Sequence, residues 1–255
     1  ERDNFWQMAD TGPCGPCSEI YVDLAHIASD WAFPAGASGE WTDVSRTEFS
    51  LDAFVEGAEA GRFLEIWNLV FMQFDRQPSG ELRPLPKPSV DTGAGLERIA
   101  AVLQGVTNNY HTDLFVPLIA KAERVLGMSY DDRPASGIGT AAWPPAPEKG
   151  VRPSTYDAVS FRVLADHSRA IAFLIADGVF PSNEGRGYVL RRILRRGVRH
   201  AWLLGRREPT LDQLVSVVVD EMHDVFPELA QRRKLIVDTT RAEEERFLAT
   251  IEEGM

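Results

Sequence analysis

Apolar side chains alternate with other residues from Phe63 to Phe74. Leu64, Ile66, Val70, Met72 and Phe74 share one face, and Asn68 is its single polar member. A period of two over this length predicts a strand with one buried face. A lone Asn there must find hydrogen-bond partners, which backbone or a ligand can supply. The stretch Asp75–Leu82 contains Pro-Ser-Gly and predicts a hairpin turn leading back into an antiparallel partner. Glu19–Leu24 has strand composition. Further on, the period changes to that of helices. Leu96, Ile99, Ala100 and Leu103 mark one face, and helices are also predicted over Asp113–Leu126, Ala158–Ala176, Tyr188–Leu204, Asp212–Phe226 and Leu229–Glu253. Asp3–Ser18, with Gly-Pro twice, reads as a loop. Residues 25–60 read as an elaborated connection, Val106–His111 as a break, and 127–155, rich in Pro, Gly, Ala and Ser, as an insertion or linker.

Between the sheet and helix signals lies Pro84–Gln104, around which the chain is organised. Alternating Pro84, Pro86 and Pro88 hold the start of the segment extended. Asp91 and Thr92 offer N-cap side chains, Gly93 and Gly95 permit close approach, and Arg98 falls in the first turn of the helix that begins near Leu96. A helix N-terminus with a fixed cation suits a phosphorylated ligand. A plain strand–turn–helix junction explains the same glycines.

The 255 residues suffice for one large or two ordinary domains, and 44% hydrophobic and 25% charged content is that of a globular protein. A net charge of −11 excludes nucleic-acid binding by average charge, so such binding needs a local basic patch. Cys14 and Cys17 are the two cysteines, too few for a disulfide scaffold. As half of a zinc site they would need two of five histidines, none spaced as a pair, so packed thiols are the favoured reading and no metal is assigned. No apolar run approaches the roughly 18 residues of a membrane span, and no signal peptide is visible, so a cytoplasmic setting is expected. Glu1 opens close to dense motif character and Met255 falls in an unfinished helix pattern, which reads as a segment of a longer protein.

The local basic patch exists. Eight arginines and no acid lie between Arg186 and Arg207. On a wheel of about 100° per residue, Val189, Leu190, Ile193, Leu194, Val198 and Ala201 fill one half. Arg191, Arg192, Arg195, Arg196 and Arg199 fill the other. An all-arginine stripe repels itself and suits phosphate. Nucleic acid is favoured over a solvated face or an acidic partner protein. A helical DNA-binding regulator is disfavoured by the sheet motifs upstream.

Five motifs, in order, resemble the alanyl-tRNA synthetases, a branch of the class II aminoacyl-tRNA synthetases. They are Asp-Asn-Phe-Trp-Gln-Met at 3–8, Asp-Thr-Gly-Pro-Cys-Gly-Pro-Cys at 10–17, and Glu-Ile-Trp-Asn-Leu-Val-Phe-Met-Gln-Phe at 65–74. The proline stretch through Gly-Leu-Glu-Arg at 84–98 and Ile-Ala-Asp-Gly-Val-Phe-Pro-Ser-Asn-Glu-Gly-Arg-Gly-Tyr-Val-Leu-Arg-Arg at 175–192 complete them. The resemblance covers nearly all of the chain except 25–60 and 127–155.

The resemblance implies an α+β fold. Residues 1–126 would be the C-terminal part of an antiparallel-sheet catalytic domain, with the third class II motif at 90–99. Residues 127–155 would be a linker, and 156–255 an all-helical tRNA-recognition region. It implies that Asp91 binds the ammonium of alanine, that Trp6 and Asn68 line that pocket, and that Gly93, Gly95 and Arg98 serve ATP. Asp91 and Arg98 would be the catalytic pair. Asn183 with Arg191, Arg192, Arg195, Arg196 and Arg199 would meet the acceptor stem of tRNA(Ala). ATP and Mg²⁺ are the implied cofactors, and alanyl-adenylate the intermediate. The first and second class II motifs would precede Glu1. The editing domain with its zinc site, the oligomerisation region and an acidic partner for Asn183 would follow Met255. On that reading residues 1–255 alone neither form the adenylate nor charge tRNA. The alternative is a synthetase-derived RNA-binding protein without catalysis, against which the intact Trp6, Asn68, Asp91 and Arg98 argue.

Overall fold

A computed structural model describes residues 4–24, 27, 50–130 and 155–254, with side chains from 158 onward in the last stretch. Most of the expected connection at 25–60 and linker at 127–155 lies outside the described residues. The chain divides into two compact units, one of residues up to Asn109 and one from Tyr110 onward. This division groups residues 110–126 with the helical part.

The first unit is built on four strands, β1 (Phe5–Gln7), β2 (Gly12–Asp23), β3 (Phe63–Arg76) and β4 (Leu82–Ala94), antiparallel throughout and in the order β1-β2-β3-β4. The predicted strand over 63–74 and the hairpin after it are both present. Gln77 N–H donates to Glu81 O at 2.9 Å, and Gly80 takes a φ of 85° that favours glycine. The expected loop at 3–18 is instead a hairpin of β1 and β2. Turn-type residues sit inside β2 because its pairing with β3 is interrupted. Cys14 opposes Phe74 and Cys17 opposes Val70, so Gly15 and Pro16 face three residues of β3. Pro16 lies where regular pairing is already broken. A Cβ on Gly15 would come 1.9 Å from the Phe71 carbonyl oxygen, so only glycine fits this approach. Across the insertion, buried Arg62 holds Asp23, its Nε 2.8 Å from Asp23 Oδ1, and ties the end of β2 to the start of β3.

Helix α1 (Leu51–Glu59) was not expected from sequence. Ser50 caps it by accepting from Ala53 N–H at 3.1 Å. Helix α2 (Leu96–Gln104) is where the period predicted it, but its N-cap is Gly95. Asp91 and Thr92 are not caps. They lie in β4, opposite Val70 and Leu69. Three prolines permitted an extended run longer than the turn chemistry suggested.

In the second unit, every described element beyond a one-residue bridge at Met128 is helical. A 3-10 turn at Asn109–His111 precedes α3 (Val116–Leu126). Then come α4 (Thr155–Ala176), α5 (Gly185–Leu203), α6 (Leu211–Met222), α7 (Pro227–Gln231) and α8 (Arg233–Glu253). Their apolar faces form one core that includes Phe115, Ile119, Phe161, Leu164, Ile171, Leu190, Leu194, Leu214 and Ile236. Tyr130, inside the stretch expected to be a linker, is buried against Phe161. Among the described residues, no helix is long and apolar enough to cross a membrane.

Candidate functional site

One face of the sheet carries Asn68, Gly93 and Asp91. Asn68 opposes Glu19 on β2 and Gly93 on β4, and the next residue on that face, Val70, opposes Cys17 and Asp91. Directly opposed residues in antiparallel strands share a face, so Asn68 and Asp91 are diagonal neighbours on it. Thr92 belongs to the other face, where it accepts from Trp67 Nε1. Asn68 Nδ2 donates to Glu19 Oε1 at 3.0 Å, and Tyr21 OH donates to Glu19 Oε2 at 2.5 Å. A carboxylate accepts only, which fixes the Asn68 amide. Its other end, Oδ1, is buried and has no hydrogen-bond partner among the described residues. Such an atom is costly unless a ligand donates to it.

Arg98 reaches back from α2 to Glu65, donating from Nη1 to its backbone oxygen at 2.7 Å and lying 3.5 Å from Oε2. Gly95 makes room, since a Cβ there would stand 3.1 Å from Arg98 Cδ. The hydrogen bond to Glu19, then burial, push the Tyr21 hydroxyl up to about 12, so it remains a donor. Burial, then the Glu19 and Glu65 charges, push the Cys17 thiol up, against a backbone hydrogen bond from Trp6. Trp6 itself is on β1, opposite Gly15 and half-buried. Space above Gly93 is open, with nothing within 4 Å of where its Cβ would be. Glu19, Tyr21 and Glu65 were missed by sequence reasoning. A signal existed, because Glu19, Tyr21 and Asp23 alternate as polar positions along β2.

The arginine helix α5 divides its charges. Arg191 and Arg195 turn to α8, where Glu243, 2% exposed, lies 3.1 Å from Arg191 Nε and 3.0 Å from Arg195 Nη2. Arg191 also donates to Asn183 Oδ1 and to Pro181 O, which holds the loop before α5. Arg192, Arg196 and Arg199 are exposed, and among the described residues none of them has a carboxylate within ion-pair distance. Arg192 sits over the Tyr188 ring at 5.8 Å, and Arg196 lies 3.1 Å from His167 Nε2. Val189, expected on the core side, is 54% exposed, because α5 buries a narrower stripe of Leu190, Leu194, Gly197, Val198 and Ala201. Burial, then the neighbouring Arg196 guanidinium, hold His200 below its usual range. The sequence could not show Glu243 as the acid of this helix, because it stands 48 residues from Arg195.

The profile of the family described as "tRNA synthetases class II (A)" matches residues 1–255. The chain belongs to the class II tRNA synthetases. Within this family it is 49% identical over 253 residues to an alanine--tRNA ligase of Magnetococcus marinus, covering 99% of the chain and 24% of that protein. It is 50% identical over 256 residues to that of Acidithiobacillus ferridurans, covering 100% and 24%. Against that of Nitrobacter winogradskyi it is 51% identical over 253 residues, covering 99% and 24%. The chain thus spans about a quarter of the length of these class II relatives. An α+β unit with a four-stranded antiparallel sheet accords with the family.

Proposed function

We propose that this chain supplies the amino-acid and nucleotide seat of an alanine--tRNA ligase, together with a surface for its tRNA. The observation that carries this is Asn68 Oδ1, buried and without a partner among the described residues, beside Asp91 on a sheet face. An ammonium donates to carbonyl oxygens and pairs with carboxylates, so alanine's amino group is held between Asn68 and Asp91. Trp6 closes the small pocket, and the open space over Gly93 receives substrate. Gly95 lets Arg98 pack, and Glu65 fixes Arg98 so that its guanidinium meets ATP phosphate without rearranging.

In the first step an alanine carboxylate oxygen attacks the α-phosphorus, and pyrophosphate leaves. In the second, the terminal ribose hydroxyl of tRNA(Ala) attacks the alanyl carbonyl, and AMP leaves. No side-chain nucleophile takes part, so acceleration comes from positioning and charge stabilisation. Among the described residues no three acidic, His or Cys side chains cluster to cage a metal. A Mg²⁺ accompanying ATP would take oxygen ligands, and the Glu65 carboxylate beside Arg98 would offer one. The ion's charge would screen the phosphates. Rejecting serine is hard for so small a pocket.

The helices from 156 on meet the acceptor stem through Asn183 and α5. Arg191 and Arg195 keep the loop and helix in place, and the exposed arginines face the RNA. A cytoplasmic setting keeps Cys14 and Cys17 reduced. Alanine-dependent ATP–pyrophosphate exchange by the full-length protein tests the reading. Exchange that appears with alanine and disappears in Arg98→Ala supports it. tRNA binding without any exchange overturns it in favour of a non-catalytic RNA-binding protein.

A further inference from the structure

Arg196 is held differently from its neighbours on α5. Arg191 and Arg195 end on one buried carboxylate, which offsets part of their charge. Arg196 Nη1 lies 3.1 Å from His167 Nε2, and His167 Nδ1 lies 2.9 Å from Asp166 Oδ2. A guanidinium has hydrogens to give and no lone pair to accept. Nε2 must therefore be the bare acceptor, and the ring proton sits on Nδ1, donated to Asp166. This order of donors makes His167 neutral and fixes its tautomer. His167 is 7% exposed, so packing fixes the ring plane as well. The result is a guanidinium aimed by an uncharged group, with the nearest acid one imidazole away.

Arg192, Arg196 and Arg199 follow one another at spacings of four and three, which places them on one face of α5. Tyr188 and Leu203, 47% and 63% exposed, extend that face at either end. Free arginines on a helix lose much rotamer entropy when they bind, and a held one loses less. We propose that His167, oriented by Asp166, is a positioning residue that fixes Arg196 on this arginine face to take a backbone phosphate of the RNA. This rests on the reading of α5 as the RNA surface. The hydrogen bond from His167 also keeps the Asp166 carboxyl below its ordinary range, so the anchor stays an anion.

The test is binding of fluorescein-labelled tRNA(Ala) to the full-length protein over a range of KCl. Arg196→Ala should raise Kd about three- to tenfold and reduce the slope of log Kd against log salt by roughly one phosphate contact. His167→Ala should do the same, and the double variant should lose no more than either single one. His167→Gln places a carbonyl oxygen where Nε2 stood and should restore most of the affinity. A His167→Ala protein that binds like wild type while Arg196→Ala is impaired overturns the relay, and so do additive losses. If His167→Ala does not fold, Asp166→Ala decides. Asp166 is a half-exposed carboxylate, and an unchanged slope in that variant overturns the relay. If Arg192→Ala with Arg199→Ala also leaves binding unchanged, the RNA reading of α5 fails, a result distinct from failure of the relay alone.

Discussion

The sheet unit and the helical unit use polar groups in opposite ways. The sheet buries few apolar residues, Cys14, Cys17, Leu24 and Val70 among them, and nearly all of β4 is exposed. The polar network around Asn68 leaves its Oδ1 without a partner among the described residues. The helical unit has a large core and satisfies its buried acids with partners far away in sequence. Glu244 caps α6, accepting from the backbone N–H groups of Thr210, Leu211 and Asp212 at 3.0, 2.9 and 2.9 Å. Its neighbour Glu243 gathers Arg191 and Arg195. At Asn68 Oδ1 an acceptor is still open to a donor, whereas the carboxylates of Glu243 and Glu244 already have theirs.

Three experiments sharpen this contrast. The largest effect is expected at Glu243. Removing it leaves two arginines facing an empty buried site, so Glu243→Ala should cost roughly 3–5 kcal/mol in urea unfolding. A loss below about 1 kcal/mol would mean that the acid is not structural. The second concerns pH. Burial pushes Glu244 from 4.5 up to about 7, in spite of three backbone donors that pull it down. A carboxyl raised in the folded state binds more protons there than in the unfolded chain, so its stabilisation is full below about pH 4.5 and is lost as pH rises through about 7. Relative to Glu244→Gln, the wild type should lose on the order of 3 kcal/mol between pH 4.5 and 8. A constant difference across that range would contradict the assignment. The smallest effect separates the two arginine sets. Arg192→Ala with Arg199→Ala should flatten the salt dependence of tRNA binding by about two contacts at unchanged melting temperature. Arg191→Ala with Arg195→Ala should lower the melting temperature and change the slope less. The reverse pattern would exchange their roles.

What sequence could show follows from how far each constraint reaches. Alternation along β3 is local, and it put Asn68 on the correct face. The period of α2 and the turn at Gln77–Gly80 were local too. The hairpin at residues 4–23 was hidden because Gly15 and Pro16 look like loop residues until Phe71 is brought against them. Asp91 and Thr92 looked like caps because nothing local distinguishes a cap from the last residues of a strand. The motif at 84–98 supplied Gly93 and Asp91 to the face that carries Asn68, but the Glu19–Asn68 bond joins residues 49 apart. The partition of α5 into held and free arginines depends on α8 and α4, so no reading of α5 alone contains it.

The sheet face as the seat of an amino-acid ammonium is tested most directly by the KM for alanine in pyrophosphate exchange by full-length Asp91→Asn. Loss of the charge that faces the ammonium should raise it about 10- to 100-fold, with melting temperature and tRNA affinity unchanged. An alanine KM equal to that of the wild type would contradict the account.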